Sequence, residues 1–125
     1  MKRNRDNNTC IRVCRDKQQI ARCKGRVNTL NARVQDFTSI LQLLGNPVRM
    51  NIMILLNHEQ RLCVCDLSEI LEMTIPAVSQ HLKKLRKAEL VDTERAGNTI
   101  YYYINREYNL VLNSLLANVI EPIGI

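Results

Sequence analysis

Two helical patterns separated by a three-residue turn constrain the fold of this chain more than any other feature of its sequence. Asp66, followed by Glu69 three residues later, is typical of a capping box at a helix start. Residues 72–74 are the predicted turn, and Thr74 is a suitable N-cap for a second helix over residues 75–87. The inward positions of that helix have helical spacing: Ile75, Val78, Leu82 and Leu85. These patterns predict a helix-turn-helix.

Two β-favouring segments follow, at residues 90–95 and 99–104, on either side of Ala96-Gly97-Asn98. Segments of this composition around such a turn predict a β-hairpin. A closing helix is predicted from about residue 105, and Pro122 ends it. Its apolar positions are Leu112, Leu115, Leu116 and Val119.

Upstream of the helix pair, residues 36–44 predict a short helix. Asn46 is then a good N-cap and Pro47 a good first residue for a helix that ends near residues 57–58. The predicted fold class is therefore mainly α with a small β-hairpin. The order of elements is that of a winged helix-turn-helix with extra N- and C-terminal dimerisation helices.

An apolar stripe near the N-terminus has the 3-4-3-4 spacing of a helix face: Ile20, Cys23, Val27, Leu30 and Val34. A domain this small has little else for such a helix to cover, so a partner subunit in a homodimer is the expected occupant. Residues 1–15 are polar and basic and show no period, which predicts a flexible arm carrying one pair of cysteines. Residues 16–125 are expected to form the winged helix-turn-helix domain with its flanking dimer helices.

Charge is unevenly distributed. The chain has a net charge of +6, and its first 35 residues carry ten basic against two acidic side chains. A basic balance favours a polyanionic partner such as double-stranded DNA. No secretory signal follows Met1 and no run of about 18 apolar residues exists, so a cytoplasmic location without a membrane partner is expected. With no paired catalytic groups and no phosphate-binding loop, an enzyme is not expected.

The second helix of the pair carries the groups that DNA recognition requires. Ser79 and Gln80 can hydrogen-bond base edges, and the cations near its C-terminus can contact phosphates. Arg95 and Asn98 are at the predicted hairpin tip, where they can reach the DNA backbone or minor groove. His81 is expected to serve in packing or backbone contact. The full predicted DNA-binding set is Thr74, Ser79, Gln80, Lys83, Lys84, Arg86, Lys87, Arg95 and Asn98.

Four of the five cysteines form two close pairs. Cys10 and Cys14 are four residues apart, and Cys63 and Cys65 are expected in a non-helical segment just before the Asp66 cap. Each pair can supply two ligands to a three- or four-thiolate site for a soft, thiophilic ion. Cys23 is expected at the dimer interface and is a further candidate ligand. The same thiols also fit a redox-responsive DNA-binding repressor, or a structural zinc site in a constitutive module.

Two segments, Leu62-Cys63-Val64-Cys65-Asp66-Leu67 and Val78-Ser79-Gln80-His81-Leu82-Lys83-Lys84-Leu85, resemble the ArsR/SmtB family of metal-sensing repressors. The resemblance covers roughly residues 36–119, and the cysteine-bearing arm resembles the cadmium- and lead-sensing branch. It implies a homodimer in which arm cysteines of one subunit join the Cys-x-Cys pair of the other, and in which metal binding weakens operator binding. It assigns ligand roles to Cys10, Cys14, Cys63 and Cys65. The ion remains open among cadmium, lead, mercury, bismuth, arsenite, zinc and copper(I), and so does the operator sequence.

Overall fold

The computed structural model describes residues 14–120, and the chain divides into two compact units, residues 1–37 and 38–125. Helix α1 spans Lys17–Leu44 without interruption. The expectation of a separate short helix at residues 36–44 was therefore wrong, because no proline or turn residue stands between the two apolar patterns. At its start, the Gln19 amide donates to Asp16 Oδ1 at 2.9 Å, an N-capping contact. Most of the predicted arm, with Cys10, lies outside the described residues, as does Pro122.

The second unit contains the predicted helix-turn-helix and wing. Asn46 caps helix α2 as expected, since its Oδ1 accepts from the amides of Val48 and Arg49 at 2.9 and 3.1 Å. No single helix in the described part of the chain is long and apolar enough to cross a membrane, and only α1 with α2, as a bent pair, meets that test by length and composition. The elements that follow α1 are α2 (Pro47–Glu59), β1 (Leu62–Cys63), α3 (Val64–Leu71), α4 (Ile75–Lys87), β2 (Val91–Ala96), β3 (Thr99–Ile104) and α5 (Arg106–Ile120).

The wing is a three-stranded antiparallel sheet of order β1-β3-β2. The hairpin turn is Gly97-Asn98, where Gly97 has φ +64°, a conformation that favours glycine. Strand β1 was not predicted from the sequence because it is two residues long. It pairs Cys63 with Tyr101 of β3, and on the other side of β3 the same Tyr101 pairs with Glu94 of β2.

Two expectations about the helix pair were wrong. The N-cap of α3 is Cys63, whose backbone is extended, so Asp66 lies in the first helical turn and does not lead a capping box. Pairing of Cys63 with β3 moves the helix start upstream, and Asp66 is then favourably placed in the field of the helix N-terminus. Ile75, predicted to face inward, is 48% exposed because the first turn of α4 extends beyond the core.

The core of the second unit consists of side chains of Leu, Ile, Val and Met from all its helices and from the wing strands. None of the buried residues in the described part of the chain is polar or charged. Leu112 and Leu116 attach α5 to this core, whereas Leu115 and Val119 remain exposed. The buried set is Leu44, Ile52, Met53, Leu56, Leu67, Val78, Leu82, Leu85, Leu90, Val91, Ile104, Leu112 and Leu116.

Candidate nucleic-acid interface and metal-binding cysteines

Helix α4 presents one buried face and one polar face. Val78, Leu82 and Leu85 are fully buried, and their i, i+4, i+7 spacing leaves the other side of the helix to solvent. Ser79 is half-buried, while Gln80 and the four cations Lys83, Lys84, Arg86 and Lys87 are exposed. An exposed amide beside four cations combines a base-reading group with phosphate-binding groups.

The turn before α4 is held by local hydrogen bonds. Helix α3 ends at Leu71, and its C-cap, Glu72, is in the left-handed conformation with φ 53°. The amide of Met73 donates to Ser68 O at 3.0 Å, closing the end of that helix. Thr74 caps α4 as predicted, because its Oγ1 accepts from the Ala77 amide at 3.3 Å. These contacts fix the length of the turn and therefore the position at which α4 begins.

Arg49 of α2 connects α4 to the end of α1. Its Nε donates to the carbonyl of Leu43 at 2.7 Å, and its Nη1 lies 3.2 Å from Nδ1 of His81. A guanidinium can only donate, so Nδ1 of His81 accepts and the imidazole is neutral in this contact. Burial, the Arg49 charge and the Lys84 charge together hold the pKa of His81 below its ordinary value, which agrees with that assignment. His81 is therefore half-buried against Arg49 of α2, and its role in packing or backbone contact stays a prediction.

The wing carries the two other predicted DNA contacts at its tip. Arg95 and Asn98 are both exposed, on either side of Gly97. The Nε of Arg95 donates to Gly97 O at 3.2 Å, which holds the guanidinium at the turn. A cation fixed at the end of a two-stranded ribbon suits contact with a DNA backbone or minor groove.

The two cysteines of the Cys-x-Cys pair lie on different elements. Cys63 is half-buried on strand β1, whereas Cys65 is exposed in the first turn of α3. The expectation that both would lie in a non-helical segment was therefore wrong. Cys14, just before α1, and Cys23, within it, are exposed free thiols, and Cys10 lies outside the described residues. The candidate ligands that the structure describes thus lie beside or on three different elements, α1, β1 and α3.

Thiols are the donors that soft ions prefer, so the donor chemistry fits a thiophilic metal. Among residues 14–120, no group of three or more His, Cys, Asp or Glu side chains is arranged to hold an ion. Within the described residues, Cys63 and Cys65 therefore do not belong to a group of three or more such side chains that could hold an ion.

Two side-chain contacts of this region gave no sequence signal. Arg49 and His81 are 32 positions apart, and Arg61 and Glu94 are 33 apart, so only the folded chain brings each pair together. For Arg61, the alternation of side chains along the wing strands could at most have indicated which residues lie on the same face of the sheet. Its contact with Glu94 depends on strand β1, which the sequence did not predict.

The helix-turn-helix, the three-stranded wing and the basic outer face of α4 define a winged helix-turn-helix regulatory protein. Residues 46–93 match the family model described as "Bacterial regulatory protein, arsR family". The chain is 35% identical over 97 residues to the arsenical resistance operon repressor of Bacillus subtilis, and the match covers 77% of this chain and 92% of the repressor. The chain belongs to the arsR family.

Two further similarities extend this assignment. The cadmium resistance transcriptional regulatory protein CadC of Listeria innocua is 29% identical over 118 residues, which cover 94% of this chain and 98% of CadC. The homodimeric winged helix-turn-helix DNA-binding domain of Mb0332 from Mycobacterium bovis superposes with a TM-score of 0.63 at 26% identity, covering 72% of this chain and 82% of that one. The predicted fold class and the predicted family are both confirmed.

Proposed function

We propose that this protein is a metal-responsive transcriptional repressor, which binds operator DNA as a homodimer and releases it when a thiophilic ion binds its cysteines. The observation that carries the proposal is the position of Cys63 and Cys65. The first lies on the wing sheet and the second in the helix that packs against α4. An ion held by both thiols therefore acts at the junction between the two elements that face DNA.

The metal site is proposed to join two subunits. Cys63 and Cys65 of one subunit would supply two thiolates, and Cys14 and Cys10 of the partner subunit would supply the others. This agrees with the shortage of ligand groups within the described part of one chain. Names of the relatives support a soft ion, because one is a cadmium resistance regulator and another an arsenical resistance repressor. Cys23 is kept as a further candidate ligand.

The homodimer is supported by apolar residues that a single chain leaves exposed. Val27 and Val34 on α1 and Val119 on α5 are 66%, 51% and 56% exposed. Exposed apolar side chains on the first and last helices are suitable for burial against a second copy. The homodimeric state of the Mb0332 domain points the same way. Two recognition helices would then read half-sites about one helical turn apart.

Within each half-site, α4 is proposed to enter the major groove. Gln80 and Ser79 would contact base edges, Thr74 would lie at the DNA-facing start of the helix, and the four cations would contact phosphates. Arg95 and Asn98 at the wing tip would add contacts to the backbone or minor groove. The exposed outer face of α4 supports these roles, since only its inner face is buried.

The proposal is tested by titrating Cd²⁺ into the reduced protein bound to fluorescent operator DNA. Thiolate charge-transfer absorption reports the metal, and fluorescence anisotropy reports the DNA. A hundredfold loss of DNA affinity corresponds to a coupling free energy of about 2.7 kcal/mol. Reciprocity then requires operator DNA to weaken metal binding by the same factor.

Variants decide which thiols carry the response. Cys63→Ser and Cys65→Ser should bind operator normally and fail to release it, and Cys14→Ser should weaken the response less. Cys23→Ser tests the remaining candidate ligand, on α1, and it should mainly affect dimer packing. Normal release by the Cys63→Ser, Cys65→Ser double variant would contradict the proposal. Release by peroxide without metal would favour a redox repressor, and DNA affinity unchanged by chelators and metal would favour structural zinc.

A further inference from the structure

Three side chains bridge the wing sheet beside Cys63. The guanidinium carbon of Arg61 lies 4.2 Å from the centroid of the Tyr101 ring, within the range of a cation–π contact. Nη1 of the same Arg61 lies 2.7 Å from Oε1 of Glu94. We call these three residues the Arg61 bridge. It connects the segment that leads into Cys63, across the central strand, to the outer strand of the wing.

The register of the sheet gives this bridge a position between the thiol and the wing tip. Tyr101 pairs with Cys63 on one side and with Glu94 on the other. Directly opposite residues share a face of an antiparallel sheet, so one row of side chains runs from Cys63 to Glu94. The next residue along β2 is Arg95, which is held at the wing tip.

The backbone alone connects Cys63, on strand β1, only weakly to the hairpin of β2 and β3. Strand β1 has two residues, so few ladder hydrogen bonds join it to β3. A displacement of β1 can therefore occur without moving the hairpin unless side chains also connect them. Arg61 supplies that connection, because it precedes β1 directly and contacts both other strands.

We propose that the Arg61 bridge transmits the state of Cys63 to the wing, so that metal binding displaces the wing tip as well as the recognition helix. The inference rests on the proposed function, since it names the route by which the same cysteine site acts on DNA. Arg61 and Glu94 are positioning residues in this scheme, because neither is required to touch metal or DNA. The wing then accounts for one part of the metal response and α4 for the other.

The exposure of the Arg61 and Glu94 side chains sets the expected size of the effect of the bridge on the metal response. The side chains of Arg61 and Glu94 are 48% and 50% exposed, and ion pairs at such positions are weak in water. Loss of the bridge should therefore reduce the metal response by a factor of about three to five without abolishing it. With a hundredfold response in the parent protein, a variant without the bridge should retain about a twenty- to thirtyfold response.

The test compares Glu94→Gln with Asp92→Asn. Both remove one negative charge from β2, but Asp92 pairs with Arg86 at 3.8 Å and does not belong to the bridge. The measured quantity is the ratio of operator dissociation constants with and without Cd²⁺. A general effect of charge on DNA affinity cancels in that ratio, because it is present in both measurements.

We expect the ratio to fall three- to fivefold in Glu94→Gln and in Arg61→Gln, and to stay at the parent value in Asp92→Asn. Parent-like ratios in both bridge variants would overturn the inference while leaving the proposed function intact. An equal fall in Asp92→Asn would also overturn it, because the effect would then belong to the charge of β2. Absence of any Cd²⁺ effect in the parent protein would overturn the proposed function itself.

Discussion

Replacement of Arg49 by methionine should destabilise the second unit by about 2–3 kcal/mol. The guanidinium donates to Leu43 O at 2.7 Å and contacts His81 Nδ1 at 3.2 Å, so the substitution removes two hydrogen bonds. Hydrogen bonds to charged groups contribute about 1.5–3 kcal/mol each. Two such bonds at the lower end of the range would contribute about 3 kcal/mol. Arg49 is half-buried, so water replaces part of that loss, which gives the expected total of about 2–3 kcal/mol. Methionine has a similar length, which keeps the apolar packing of the stem.

Urea unfolding at one fixed protein concentration measures this loss, since the stability of a dimer depends on concentration. For a domain of this size, each kcal/mol corresponds to a shift of about 4–8 °C in Tm. Arg49→Lys keeps the positive charge and can make one of the two hydrogen bonds. The stability of this variant should therefore lie between that of the parent and that of Arg49→Met. Lys83→Met is the control for loss of an exposed cation. A loss below about 0.5 kcal/mol in Arg49→Met would refute the reasoning, because the connection between α1, α2 and α4 would then contribute little.

Further predictions concern α4. The pKa of His81 is lowered by folding, so the unfolded chain takes up the proton first, and stability should fall as pH drops below about 6.5. The His81→Gln variant should lose less stability than the parent between pH 7.5 and 5.5, as measured by urea unfolding at those two pH values. Leu82→Ala should cost about 2–5 kcal/mol because Leu82 is fully buried, against less than about 1 kcal/mol for Ile100→Ala on the exposed side of β3. Lys84→Ala should lower the slope of log affinity against log salt by about one, and Gln80→Ala should cost about 1–3 kcal/mol at one base pair of the operator. A Gln80→Ala protein with unchanged sequence preference would contradict the base-reading role.

Features set by local sequence were predictable. Asn46 before Pro47 and Thr74 before Ile75 are capping signals that act within four residues, and the structure contains both caps. The hairpin around Gly97 is equally local, since its turn needs a residue that tolerates positive φ. The exposure of the cations of α4 was predictable from the helical period alone, because the apolar positions define the buried face and leave the basic residues on the opposite one.

Features set by tertiary contact were not predictable. Cys63 is the N-cap of α3 because its strand pairs with Tyr101, a contact 38 residues away that no local pattern encodes. The same pairing explains why Asp66, a sound local capping signal, lies inside the helix. The continuity of α1 was missed for a different reason, because a change in apolar spacing near residue 35 resembles a break when no packing partner is known. The ligand set remains a prediction, since it depends on a second subunit and on Cys10.

The aliphatic composition of the core has a consequence for temperature. In the part of the chain that the structure describes, its buried residues are Leu, Ile, Val and Met, without one polar side chain among them. Exposure of apolar surface raises the heat capacity on unfolding, whereas exposure of polar surface lowers it. A core of this kind therefore gives a strongly curved stability profile, with a maximum at about 10–20 °C for typical domains. Cooling below that maximum weakens the helix-turn-helix just as heating does, and the curvature limits the range of temperatures over which α4 is held firmly for DNA.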